Sequence, residues 1–128
     1  MSQPTPFARV GGEEVLRTII DDFVDRCFAD VWIGFLFRNA NRARIKTFEY
    51  QHAAAFLGAG TEYEGRPLDV AHGRHHIAGG QFMRRLQILR ETLDDHGVPP
   101  PVRDAWIEHN ESLRAVITRD LGAVCHQP

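Results

Sequence analysis

From Val15 onward, apolar residues return every three or four positions. Val15, Leu16, Ile19, Ile20, Phe23, Val24, Cys27 and Phe28 share one side of a 3.6-residue period, with Asp21, Asp22, Asp25 and Arg26 between them. That pattern predicts an amphipathic helix over 13–29. The run Trp32-Ile33-Gly34-Phe35-Leu36-Phe37 follows. It is apolar but short and interrupted by glycine, and predicts a tight, buried corner. Over 41–57, Ile45, Phe48, His52 and Phe56 fall on one helix face with Glu49 and Ala53 beside it, and Gly58-Ala59-Gly60 is a stop signal. Phe82, Leu86, Leu89 and Leu93 predict a third helix over 81–95, closed by His96-Gly97-Val98 and three prolines. Val102, Trp106, His109, Leu113, Val116 and Leu121 predict a fourth, over about 101–120.

Between the second and third helices lie a loop with Tyr63, Gly65 and Pro67, then 69–77 with His72, His75 and His76, then the breaker Gly79-Gly80. Pro4 and Pro6 discourage a helix near the start. No period-two alternation of useful length occurs. The expected fold class is all-α, with one domain over 11–121, a loose arm at 1–10 and a frayed tail at 122–128.

Composition narrows the function classes. The 128 residues are 43% hydrophobic and 25% charged, values of an ordinary soluble domain. A net charge of −2 gives no field to recruit nucleic acid or an acidic membrane, and no run of 18 apolar residues suggests a span. Cys27 and Cys125 make no disulfide framework, and no secretory leader is visible, so a cytoplasmic setting is expected. Lys46 is the only lysine, a bias that suggests a bacterial genome.

Seven histidines invite a metal or cofactor. His72 and His76 are four apart, but Gly73 stands where a zinc protease needs glutamate. Structural zinc would want more cysteines. Neither cysteine has an evident partner that would make it a nucleophile. Glu13-Glu14 and Asp94-Asp95 sit at helix ends, where a role in helix-end electrostatics accounts for the first pair. A more specific arrangement is a helix bundle with a phenylalanine-rich corner, an apolar-faced helix and a glycine-bounded loop carrying a histidine. Heme needs such a slot, one fixed imidazole for its iron, and arginines or water for its propionates.

Gly11-Gly12, Phe23, Phe37, Leu57-Gly58 through Tyr63-Glu64-Gly65, Val70-Ala71-His72, Ile77, Phe82, Leu93 and Gly97-Val98-Pro99 stand in an order and at separations that together are specific. On these residues, from about 11 to 118, the chain resembles the truncated (two-over-two) hemoglobins, nearest to group I spacing. The resemblance implies a truncated globin fold, a two-over-two helical sandwich, with heme b (iron protoporphyrin IX) as cofactor. It implies a diatomic gas ligand (O2, NO or CO) and a role in oxygen binding and transport or in NO detoxification. A reductase is a candidate partner, and the oligomeric state is left open.

Carried over position by position, the resemblance puts His72 on the iron ligand. Phe37 falls on the ring packed against the heme face, and Phe82 on a contact on the same side as the iron-bound histidine. Ile45, Glu49 and His52 fall on the helix face above the gas-binding side. Ile77 is a further heme-lining position. Arg74 and His75 compete for a propionate, because Gly73-Arg74 follows His72 directly where the family often has one more residue first. The departures are as informative. Val24 stands where the family usually has its oxygen-binding tyrosine, and Glu49 where a glutamine is common. Nitric oxide conversion leans on that tyrosine and glutamine, so enzyme status is left open. Arg85 falls on a normally apolar position, and two readings stand: a Glu49–Arg85 pair over the heme, or side chains turned to solvent. The donor to bound gas would then be His52 or Arg85. His52 as a sixth iron ligand is a further alternative, and a plain core histidine the bland one. His109 is expected to be structural, and His76, His96 and His126 to lie at the surface. Two other function classes remain: a globin-like sensor or interaction domain with altered or lost heme binding, and a non-heme metal site around His72 and His76.

Overall fold

A computed structural model describes residues 4–58 and 79–113. Its first element is a short helix, α1 (Pro6–Val10), where a loose arm was expected. Proline is excluded from helix interiors but suited to the first helical position, and Pro6 sits there, with the Thr5 hydroxyl accepting from the Ala8 N–H at 3.1 Å. Gly11, at φ 120°, turns the chain from α1 into α2 (Gly12–Ala29), the helix expected over 13–29. A Cβ at Gly11 would lie 2.7 Å from the Val15 side chain, so both backbone and space require glycine.

The apolar stripe of α2 buries Leu16, Ile19, Ile20, Phe23, Val24 and Cys27. This helix is the hub: it packs on α1, on a 3-10 turn at Gly34–Phe37, on α3 (Arg42–Leu57) and on α4 (Gly79–Asp95), which in turn packs on α5 (Pro100–Ser112). From α4 and α5 the core receives Phe82, Leu86, Ile88, Leu89, Leu93, Val102, Trp106 and Ile107. Each such side chain contributes about 1.5–3 kcal/mol on burial. No strand occurs among the described residues, and none of their helices is long and apolar enough to cross a membrane.

Three expectations change. The corner at 32–37 is not buried as a unit: Ile33 is 1% exposed, but Trp32 is 69% and Phe35 53% exposed. A carboxylate organises it instead. Asp30 accepts the N–H groups of Trp32 and Ile33 at 3.0 and 3.1 Å and two from the Arg84 guanidinium of α4 at 2.7 and 3.0 Å. Second, the helix expected over 81–95 also takes in Gly79-Gly80, which were expected to interrupt the chain. Third, the residues α3 buries fully are not the stripe Ile45, Phe48, His52 and Phe56 but Tyr50, Ala53, Ala54 and Leu57, although Ile45 also packs on the core. The helix is capped by Asn41, which accepts from the Arg44 N–H at 3.1 Å, and by Gly58 in the left-handed region at φ 92°.

Candidate functional site

While α3 buries Tyr50, Ala53, Ala54 and Leu57, its other apolar face is left half-covered. Ile45, Phe48, Glu49 and His52 are half-buried there and Phe56 is exposed. An isolated surface helix has one apolar stripe. A second one is what a flat apolar ligand, or another part of the chain, would need. Phe37, at the end of the 3-10 turn, is also half-buried and stacks on Phe28 with centroids 5.0 Å apart. Phe82, by contrast, is completely buried in α4.

The polar centre of this region is Arg85. Of the two orientations open in the sequence, the structure takes the inward one: Arg85 is only 9% exposed. Its Nη2 donates to Glu49 Oε1 at 3.1 Å and its Nη1 to Asn110 Oδ1 at 3.2 Å. Asn110 is oriented by donating its own Nδ2–H to the Trp106 carbonyl at 3.0 Å. The guanidinium lies over the Phe23 ring at 5.1 Å. Three helices, α3, α4 and α5, thus converge on one cation, while the α2 position at Val24 is buried and apolar. An interior guanidinium is tolerable only with such partners. Asn110 was missed in the sequence. Its signal was an amide four residues after Trp106 on the inner face of the last helix, where an unpaired polar group would not be left.

A second cluster borders the first on α3. The His109 ring lies parallel to Phe56 (4.1 Å, 10°) and stacks on His52 (5.4 Å, 28°). Burial holds the pKa of each imidazole below the usual value; the neighbouring His52 pushes His109 down further, whereas for His52 the Glu49 charge works the other way. Both rings are therefore neutral near pH 7. The buried Nε2 of His109 has no hydrogen-bond partner among the described residues.

Elsewhere, Cys27 is buried, and desolvation pushes its thiol up to about 12, so it is protonated and inert as a nucleophile. His96, expected at the surface, is half-buried, with Nε2 2.8 Å from Asp22 Oδ2, beside the Arg26–Asp22 and Arg26–Asp95 pairs. Glu13 and Glu14 occupy the first turn of α2, as expected. His72, Arg74, His75 and Ile77, and with them His76 and His126, lie outside the described residues. Among the described residues no three histidine, cysteine or acidic side chains come together as a metal site.

A family model for bacterial-like globins matches residues 5–119. A group 1 truncated hemoglobin from Mycolicibacterium paratuberculosis is 30% identical over 93 residues, 73% of this chain and 68% of that protein. Among solved structures, the 2/2 hemoglobin of a Synechococcus species, in the cyanomet state with covalently attached heme, superposes with a TM-score of 0.85 at 17% identity, covering 91% of this chain and 99% of that one. The Fe(III) form of the truncated hemoglobin from Tetrahymena pyriformis does so with a TM-score of 0.80 at 21% identity, covering 92% and 97%. These two likenesses establish the fold.

Proposed function

The chain belongs to the truncated hemoglobins, within the bacterial-like globins, and from that premise we propose that it holds heme b and reversibly binds a diatomic gas (O2, NO or CO) at the iron. A heme-based globin function follows from the family. The identity of the heme, the gas and the residues involved are our reading.

The observation that carries it is the second apolar face of α3. Ile45, Phe48 and Phe56 of α3, with Phe37 at the end of the corner, offer carbon surface to a flat ring; Ile45 and Phe37 also pack on the core, yet both remain only half-buried. The donor set fits as well. Glu49 and Arg85 neutralise each other at the polar end of this face, and the neutral His109 has a buried nitrogen without a partner among the described residues. A bound heme would supply an iron with one open coordination position for the gas. His72 is the residue we assign to the iron, with Ile77 and Phe82 on its side and Arg74 or His75 toward a propionate. Ile45, Glu49 and His52 would face the opposite side, where apolar surface keeps water scarce and so strengthens any hydrogen bond to the ligand.

The test is optical. Purified protein titrated with hemin is expected to develop a stoichiometric Soret band, and His72→Ala to lose or strongly shift it. A protein that folds as helix, yet takes up no hemin, overturns the reading and leaves a globin-like sensor or interaction domain.

A further inference from the structure

We propose that Arg85 is the ligand-selecting donor of the gas site, tuned by Glu49, so that it favours small hydrogen-bond-accepting and anionic ligands over carbon monoxide. The inference deepens the heme reading above and rests on it.

A guanidinium carries five N–H donors. In this structure two bonds engage Arg85, one to Glu49 and one to Asn110. The remaining N–H groups have no protein acceptor among the described residues, although the residue is only 9% exposed. The stem and head are nevertheless fixed: Asn110 is anchored to the Trp106 carbonyl, Phe23 lies under the guanidinium, and Glu49 closes the third side. A donor held in place with spare N–H groups loses little entropy on meeting a further acceptor. Glu49 belongs to the half-covered face of α3 with Ile45 and His52, so the pair stands at the edge of the proposed heme slot. The other candidate donor, His52, stacks on His109 and is held neutral by burial, so it offers an uncharged N–H, a weaker donor than a guanidinium. Val24 contributes no hydroxyl from α2.

Glu49 sets the sign of the effect. It cancels the charge of Arg85, so the site has little net field for anions, and selectivity comes from directed N–H groups. The two halves of one ion pair then act oppositely. Removing the guanidinium removes the donor. Removing the carboxylate charge loosens its hold on that N–H, because a neutral acceptor binds a guanidinium less tightly, and lifts the repulsion an entering anion meets. A purely structural ion pair would not behave so, since losing either half damages the fold in the same direction.

Fluoride is the probe: it is a small anion and acceptor whose binding to ferric heme is read optically. Equilibrium titrations of the hemin-loaded protein are expected to show fluoride affinity falling about 10-fold or more in Arg85→Leu, in line with loss of a charge-assisted hydrogen bond. Affinity should rise in Glu49→Gln. Carbon monoxide affinity of the ferrous form should change less than about 3-fold in both, while the C–O stretching frequency shifts in Arg85→Leu. Arg85→Lys, which keeps the charge without the fork, is expected to lie between wild type and Arg85→Leu, and decides the matter should the leucine variant fold poorly. Fluoride affinity moving in the same direction in the arginine and glutamate variants, or in neither, with a normal Soret band, overturns the proposal while leaving the heme reading intact. Absence of a Soret band in the wild type overturns both.

Discussion

Replacing one member of the Glu49–Arg85 pair should cost far more stability than replacing both. The two charges stand 3.1 Å apart with side chains 23% and 11% exposed. At that exposure an effective dielectric constant near 20 applies, giving an attraction of about 5 kcal/mol. Desolvation of each ion costs several kcal/mol, so the pair nets close to zero against an apolar isostere. Breaking a fully buried pair costs about 3–5 kcal/mol. With Glu49 partly wet, Arg85→Met alone is expected to cost about 2–4 kcal/mol, lowering Tm by roughly 7–15 °C for a chain of this size. Glu49→Leu alone should cost about as much, because Arg85 then keeps only the neutral Asn110. The double variant should lie within about 1 kcal/mol of wild type. Urea denaturation of the heme-free protein, followed by circular dichroism, measures all four corners of the cycle. Costs that simply add, giving a double variant about 4–8 kcal/mol less stable, would refute the reasoning.

Acidification supplies a second prediction. His52 and His109 have pKa values lowered by burial, while unfolded imidazoles titrate near 6.5. Above that pH both states are neutral and neither ring contributes. Below it the unfolded chain takes up protons first, so heme-free protein should lose stability from about pH 6.5 downward. His109→Phe, which keeps a ring against Phe56, should flatten that slope between pH 7.5 and 5.5, and an unaltered slope in urea midpoints would count against it. Gly34→Ala should destabilise despite lying on the outer corner, because its Cβ would meet the Phe28 carbonyl oxygen at 2.6 Å, an overlap costing about 1–3 kcal/mol. A Tm equal to that of wild type would show that the corner yields without strain.

The periodicity of α2 and α4 was legible because each buries one stripe against one set of neighbours, so residues 13–29 and 81–95 read almost as they fold. For α3 the helix was legible but not its orientation. Both of its faces carry apolar residues, and only the burial of Tyr50, Ala53, Ala54 and Leu57 reveals which face the core covers fully. The short α1 was hidden because proline's effect depends on its place within a helix, and a composition of prolines does not say whether one begins it. The polar corner was hidden too, since Asp30 is 54 residues from the arginine it holds.

What the linear chain determined by itself was the helical class, the main helix positions and the family, because periodicity and motif spacing are local or ordered properties of a string. What tertiary structure decided was which polar residues meet. Glu49, Arg85 and Asn110 come from three different helices, and in the sequence alone Glu49 and Arg85 read equally well as surface side chains. Their meeting was settled only when the helices closed around them, since an interior charge must find its partners across space rather than along the sequence.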